Sequence, residues 1–218
     1  MSIFSRHKSA LVEPEQALPG RSERTFPIAA RHRVLDAPVV TDDVPEGYEV
    51  AIFGLGCFWG AEEIYWQTPG VWSTSVGYAG GTTPNPSYEE VCSGRTNHTE
   101  AVRIVFDPKV VSYADLVKRF FEVHDPTQGF RQGNDVGTQY RSAIYFTTPE
   151  QEQVARELTA IYGAELTKRR LGEITTEIRP AGETPYYYAE DHHQQYLAKN
   201  PFGYRCHANT GVRFPETA

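Results

Sequence analysis

The sequence predicts an α+β fold with a ferredoxin-like split βαβ core, long loops, and irregular N- and C-terminal extensions. The main observation is the order of the predicted elements, β-α-β-β-α-β, which one more helix and strand follow. A second observation is the pair of long polar loops at residues 80–98 and 125–140. Loops of this length in a compact domain are the expected place for a functional site.

Five segments have the alternating or continuous apolar character of strands. They are residues 48–56, 71–81, 100–108, 141–147 and 174–180. Four segments predict helices, at residues 58–68, 112–126, 148–170 and 188–200. The second helix has Ser112 as its N-cap with Asp115 three residues later, and the third has Pro149 in its first turn. Both features are helix-start signals.

The first 46 residues differ in character from the rest of the chain. They are rich in proline, arginine and acidic residues and show no sustained period. Residues 1–46 are therefore interpreted as an N-terminal extension that is not an independent domain. Residues 47–218 are interpreted as one domain that includes a C-terminal tail.

Composition excludes several classes of function. The net charge of −7 and the lack of any basic run argue against nucleic-acid binding. No apolar stretch is long enough to span a bilayer, and no secretory signal is recognised, so a cytoplasmic protein is expected. The three cysteines are too few, and odd in number, for a disulfide framework. They are either packing groups or redox-active thiols, and no cofactor or metal is expected.

One cysteine has an unusual setting, in the stretch "FGLGCFWGAEEIYW" at residues 53–66. Cys57 falls at a predicted strand-to-helix junction, where unpaired backbone N–H groups would favour the thiolate and lower the thiol pKa. Gly56 and Gly60 would let other backbone come close, which would expose the sulfur to a substrate. Phe58 and Trp59 could form an aromatic wall suited to a methyl thioether. A small buried cysteine with core aromatic neighbours is the alternative at this point.

Five blocks of sequence in a fixed order decide between these alternatives. They are "GCFWG" at 56–60, "GYAGG" at 77–81, "NPSYEEVCSGRTNHTEAVRIVFDP" at 85–108, "FFEVHDPTQGFRQGNDVGTQYRSAIY" at 120–145 and "AEDHHQQYLAKNP" at 189–201. In these blocks the chain resembles the A class of peptide methionine sulfoxide reductases, over about residues 48–206. The resemblance implies reduction of the S epimer of methionine sulfoxide, and makes 47–218 a catalytic domain with a mobile tail.

The resemblance also implies a role for each matching residue. Cys57 would attack the sulfoxide sulfur, and Glu100 in "HTEAVRI" would supply the proton to the oxygen. A glutamic acid facing an apolar pocket would have the raised pKa that this task requires. Tyr88 and Tyr140 would donate hydrogen bonds to the sulfoxide oxygen. Asp135 would hold a water or the tyrosine network in place.

The remaining implied roles concern the substrate methyl group and the recycling of the enzyme. Phe58 and Trp59 would form the methyl pocket. The sulfenic acid left on Cys57 would be resolved by Cys206 as a disulfide, which thioredoxin then reduces. The substrate would be oxidised proteins or free methionine sulfoxide, and a monomer is expected. Cys92 is expected to be a packing residue, and it is the other candidate resolver.

The chain departs from many members of this family at three points. A second tail cysteine is absent, with Arg213 in the equivalent stretch, so a two-cysteine cycle is expected. Cys206 follows Tyr204 by two residues, where many members have one. Asn97 stands where glycine is usual, and because asparagine tolerates a left-handed backbone, the turn is expected to survive.

Three other classes of protein are alternatives at this point: a metal-binding protein, a cysteine hydrolase, and a pure binding module in which alkylation of Cys57 would have no consequence. A metal-binding protein could use the C-terminal cluster of His192, His193, Cys206 and His207, although the spacings fit no usual zinc pattern. A cysteine hydrolase could use Cys57 with His98 or His193 as base. The "DHHQQYL" run is interpreted as part of a helix without a catalytic role.

Overall fold

The computed structural model describes residues 9–183, 185–206 and 208–216. Eight strands form within these ranges. They are β1 (Glu49–Leu55), β2 (Val71–Ala79), β3 (Thr99–Phe106), β4 (Arg131–Gln132), β5 (Asp135–Val136), β6 (Ser142–Phe146), β7 (Glu177–Pro180) and β8 (Tyr187–Tyr188).

Five α-helices accompany the strands in the part of the chain that the structure describes. They are α1 (Phe58–Trp66), α2 (Tyr88–Cys92), α3 (Tyr113–Val123), α4 (Pro149–Lys168) and α5 (Tyr196–Lys199). Short 3₁₀ turns lie at Pro14–Gln16, Thr138–Tyr140 and Ala181–Glu183. Within the described ranges, no helix combines the length and apolar character needed to cross a membrane.

Six strands form one sheet in the order β7-β6-β1-β3-β2-β8, and β4 pairs with β5 separately. β1 is antiparallel to both β3 and β6, while β7 is parallel to β6. The α+β prediction is confirmed, with β3 lying between the two strands that α1 connects. The ferredoxin-like assignment stays a prediction. The C-terminal end of β1 lies next to the N-terminal ends of β3 and β6, as the pairing of Leu55 with Ser142 shows for β6.

The core lies between the sheet and the helices α3 and α4. Phe53 of β1 packs against Phe120 of α3, with ring centroids 5.3 Å apart. Phe121 stacks on Tyr162 of α4 at 5.1 Å. Phe214 of the C-terminal tail stacks on the same tyrosine at 5.5 Å, so the end of the tail is anchored in the core.

The predicted helix starts are confirmed. The Ser112 side chain accepts from the Asp115 N–H, and the Asp115 carboxylate accepts from the Ser112 N–H, which completes a capping box. Pro149 opens α4 as expected. Asn97 has a left-handed backbone, with φ of 59°, so its turn survives as predicted. Its side chain also pairs with both backbone groups of Val12 in the N-terminal extension.

The predicted helix at 188–200 is wrong over most of its length, because only α5 is helical. Gln194 uses its side-chain amide to pair with the N–H and C=O of Val76, at 2.9 and 2.8 Å. Gln195 has φ of 47°, and its N–H donates to buried Glu62 at 2.7 Å. These tertiary bonds stabilise a turn in place of the local helical preference.

The N-terminal extension packs on the domain through buried polar contacts. His32 is 2% exposed, and its Nε2 lies 2.8 Å from the hydroxyl of Thr74. That hydroxyl donates to Glu62 of α1 at 3.1 Å. Arg21 makes a bidentate pair with Glu90 at 3.0 and 2.8 Å. The division of the chain at residue 46 stays a prediction.

Replacing Phe120 by alanine tests the core. Because Phe120 is fully buried among aromatic rings, F120A should lower the free energy of unfolding by about 3–5 kcal/mol. Urea titration followed by circular dichroism measures this change. The matched control is V110A, since Val110 is 62% exposed and should change stability by less than about 0.5 kcal/mol. Equal losses in both variants would contradict this placement of the core.

Candidate active site

Cys57 lies at the strand-to-helix junction, as the sequence predicted. It is the N-cap residue of α1, with φ of −54° and ψ of 122°. Gly56 before it has φ of +94°, and a Cβ there would lie 2.7 Å from Cγ of Gln132. Both the backbone and the close approach therefore require glycine at position 56. The matching expectation for Gly60 is wrong, because no heavy atom lies within 4 Å of a Cβ built there.

The expected lowering of the Cys57 pKa is wrong for the resting site. Burial raises the pKa of the thiol well above its ordinary value, and the neighbouring Glu100 charge raises it further. The backbone N–H of Trp59 at the helix N-terminus lowers the pKa, but this effect is outweighed. The thiol is therefore protonated in the resting site at neutral pH.

Glu100 is the second residue of β3, where it lies opposite Tyr78 in the register with β2. The side chain is buried, and its Oε2 accepts from the Phe58 N–H at 3.0 Å. Burial raises the pKa of Glu100 to about 8, because the Phe58 N–H lowers it less than desolvation raises it. The predicted rise is confirmed, and the carboxyl is mostly protonated at neutral pH.

Two tyrosine hydroxyls lie near this carboxyl. Tyr88 is the first residue of α2, and Tyr140 ends a 3₁₀ turn. Burial raises the pKa of each, and the Glu100 charge raises both further, so both stay hydrogen-bond donors. Glu190 holds Tyr88 in place by accepting a hydrogen bond from the Tyr88 N–H at 2.7 Å, and it also accepts from the Tyr78 hydroxyl at 2.8 Å.

Asp135 of β5 borders the same site. Burial raises the pKa of its carboxyl, and its charge raises the pKa of Glu100 in turn. Its Oδ2 accepts from the hydroxyl of Tyr204 at 3.0 Å. The tyrosine that Asp135 holds is therefore Tyr204, which belongs to the tail. Asp135 thus joins the tail to the site.

An aromatic wall surrounds the approach to Cys57. Phe58 is 1% exposed and stacks on Tyr88 with centroids 6.4 Å apart. Trp59 stacks on Tyr196 at 3.9 Å and donates from Nε1 to His193 Nδ1 at 3.1 Å. The sequence does not predict this supporting role for His193 or Tyr196, although both lie in the last of the five motif blocks.

Cys206 lies in the C-terminal tail, beside β4, the strand that contains Gln132. Its Sγ donates to the carbonyl of Gln132 at 3.5 Å, and Gln132 is the residue that packs on Gly56. The Cys206 charge also acts on the Cys57 pKa, which it raises. Cys92, at the end of α2, is a hydrogen-bond neighbour of the Tyr88 hydroxyl. None of the three cysteines is in a disulfide.

The alternative functions find no support in this geometry. Both ring nitrogens of His98 bond to backbone, at 3.1 Å to Gly81 N–H and 2.7 Å to the Thr83 carbonyl. His193 accepts from Trp59, so neither histidine is placed as a base for Cys57. Over the described residues, no three metal-ligating side chains converge. His207, one of the ligands considered, lies outside them.

A cysteine sulfur, a protonated carboxyl, two phenolic donors and an aromatic wall therefore lie close together. Such an arrangement can bind a methyl group beside a polarised oxygen, protonate that oxygen, and transfer it to sulfur. A second thiol nearby can then form a disulfide. Fold and site together define a thiol-dependent oxidoreductase.

Comparisons with known proteins identify its family. The family described as "Peptide methionine sulfoxide reductase" matches residues 49–217. The reductase named MsrA of Salinispora arenicola is 58% identical over 98% of this chain and 96% of its own length. The chain belongs to the peptide methionine sulfoxide reductase family.

Solved structures agree with this assignment. Methionine sulfoxide reductase A of Corynebacterium diphtheriae is 52% identical, with a TM-score of 0.85 over 95% of this chain and 100% of that chain. Reduced Mxr1 of Saccharomyces cerevisiae is 34% identical, with a TM-score of 0.68 over 74% of this chain and 91% of its own.

The raised pKa of Glu100 predicts how stability depends on pH. Between about pH 4.5 and 8, Glu100 holds a proton in the folded protein that it has released in the unfolded chain, so its contribution to the free energy of unfolding falls as pH rises. Glu62, with its pKa raised to about 7 by burial, acts in the same direction, while buried histidines such as His98, with its pKa lowered to about 4, act in the opposite direction below about pH 6.5. E100Q should remove the Glu100 contribution, so that its slope differs from that of the wild type by an amount on the order of a few kcal/mol over this range.

Urea titrations at several pH values measure that slope. The control is E157Q, which changes an exposed carboxyl on α4 and should leave the wild-type slope intact. An E100Q slope equal to that of the wild type would show that the Glu100 pKa is not raised in the folded protein.

Proposed function

We propose that this protein reduces the S epimer of methionine sulfoxide, free or protein-bound, to methionine, with Cys57 as nucleophile. The observation that carries the proposal is the protonated Glu100 carboxyl beside Cys57, fixed by the Phe58 N–H at 3.0 Å. A sulfoxide oxygen leaves sulfur only after it gains a proton, and a carboxyl with its pKa near 8 can supply one at neutral pH.

The first half of the reaction uses the two protons stored in the resting site. As the Cys57 sulfur attacks the sulfoxide sulfur, Glu100 protonates the oxygen, and the thiol proton replaces the one that Glu100 gave. The hydroxyl then moves from the substrate sulfur to the Cys57 sulfur, as the substrate S–O bond and the bond between the two sulfurs break. The products are methionine, reduced by two electrons, and a sulfenic acid on Cys57, oxidised by two electrons.

The walls of the pocket orient the substrate for this attack. Phe58 and Trp59 would receive the methyl group, with Trp59 held in place by Tyr196 and His193. Tyr88 and Tyr140 would donate to the oxygen as it gains negative charge. Because burial and the Glu100 charge raise both tyrosine pKa values, these donors stay protonated over the working pH range.

The second half of the reaction recycles the enzyme. Cys206 would attack the Cys57 sulfenic acid, forming an S–S bond and releasing water. Its position beside Gln132, which packs on Gly56, supports this assignment over Cys92. Asp135, through Tyr204, would guide the tail toward the pocket.

We assign thioredoxin as the reductant of the Cys57–Cys206 disulfide, in a two-cysteine cycle. The enzyme would work as a monomer in the cytoplasm, where a reducing poise favours return of both thiols. Its task there is the repair of proteins oxidised at methionine. Residues 47–218 would form the catalytic domain, with 1–46 as an extension packed on it.

A single-turnover experiment tests nucleophile and resolver together. Reduced wild type and C206S are mixed with racemic N-acetyl methionine sulfoxide, with and without thioredoxin. The wild type should consume only the S epimer, lose two thiols per product without reductant, and turn over with thioredoxin. C206S should make one product per enzyme and then stall in the presence of thioredoxin.

Two further variants serve as controls. C57S should make no product, because the nucleophile is gone, while C92S should behave as the wild type. A disulfide that still forms in C206S and is lost in the C92S/C206S double variant would make Cys92 the resolver. Failure of the wild type to consume either epimer would overturn the proposed function itself.

A further inference from the structure

Arg205, the residue between Tyr204 and Cys206, is held unusually firmly for a tail residue. Its guanidinium makes a bidentate pair with Glu63, at 2.6 Å from Nε and 2.8 Å from Nη2. Nη1 donates to two tail carbonyls, those of Pro201 at 2.9 Å and Gly203 at 3.3 Å. The Arg205 side chain therefore bonds to earlier residues of the tail and also bonds the tail to α1.

Glu63 is a fixed reference point for the reactive sulfur. It lies on α1, the helix that has Cys57 as its N-cap, six residues further along the chain. A helix is rigid over that distance, about 9 Å along its axis, so a group bound to Glu63 keeps its position relative to Cys57. Arg205 is such a group, and Cys206 is the next residue.

A second contact, made by Cys206 itself, also holds this residue close to Cys57. Its Sγ bonds to the carbonyl of Gln132, whose side chain packs on Gly56, the neighbour of Cys57. The tail is anchored again at Val212, which is buried in the core. The Arg205 pair is the contact that ties this part of the tail to α1. Without it, the bond from the Tyr204 hydroxyl to Asp135 of β5 still holds the tail near the site, but the tie to the helix of Cys57 is lost.

We propose that the Arg205–Glu63 pair is a positioning device for the resolving step and takes no part in sulfoxide reduction. By restricting the tail, it raises the effective concentration of the Cys206 thiol at the Cys57 sulfenic acid. In that step the Cys206 sulfur attacks the Cys57 sulfur, the S–S bond forms, and the S–O bond breaks. The hydroxyl leaves with the thiol proton as water. This inference rests on the proposed function.

The experiment follows the two half-reactions separately in one quenched-flow run. Reduced protein is mixed with a stoichiometric amount of the S epimer of N-acetyl methionine sulfoxide, without reductant. Methionine product reports the first half, and loss of free thiols reports the disulfide. R205Q and E63Q should each make product at the wild-type rate but form the disulfide about fivefold more slowly. That factor corresponds to about 1 kcal/mol for a partly exposed bidentate pair.

Two designed variants separate pairing from structural damage. In the E63Q/R205Q double variant, disulfide formation should slow no further than in either single variant, because one interaction is lost once. The reversed pair, E63R/R205E, should recover part of the lost rate. The matched control is R156Q, which breaks an Arg156–Glu152 pair of 2.7 Å on the exposed face of α4. It should leave both rates unchanged.

The outcomes distinguish the two levels of the proposal. Disulfide formation at the wild-type rate in both R205Q and E63Q would overturn the positioning role while leaving the proposed function standing. An equal slowing of product formation would also overturn it, since the pair would then support the pocket. A wild type that yields no methionine would overturn the proposed function, and this inference with it.

Discussion

The site depends on one buried carboxyl beside one sulfur. Because Glu100 is buried near the start of the central strand β3, its pKa is raised to about 8 and it carries a proton where most glutamates carry a charge. The same burial raises the pKa of Cys57, so the helix N-terminus does not produce a resting thiolate. A neutral pair of this kind tolerates an apolar pocket, which a thiolate beside a carboxylate would not.

The surrounding contacts fix that pair in place. The Phe58 N–H binds Glu100, which couples the start of α1 to the start of β3. Glu190 binds the backbone of Tyr88 and the hydroxyl of Tyr78, and so joins the C-terminal segment to the two tyrosines beside the site. Since these bonds link residues more than forty positions apart in the chain, the pocket exists only in the folded protein.

The sequence was sufficient for the elements with strong local signals and for the residues in diagnostic motifs. The N-cap at Ser112, the start of α4 at Pro149, the Cys57 junction and the raised Glu100 pKa all follow from the sequence. The errors share a physical cause. The helix expected at 188–200 gives way to side-chain bonds from Gln194 and Gln195 to distant groups. The Cys57 pKa does not follow from the local sequence, because the burial that raises it comes from residues that are distant in the chain and packed around the thiol by the fold.

The buried contact of His32 with Thr74 has a consequence for how this family is delimited. The family match begins at residue 49, yet His32 lies against β2 and its neighbour Thr74 bonds to Glu62, on the helix that carries the nucleophile at its N-cap. A boundary drawn from the matched span alone would cut through a continuous polar cluster. The physical unit of this enzyme is therefore larger than the segment by which its family is recognised.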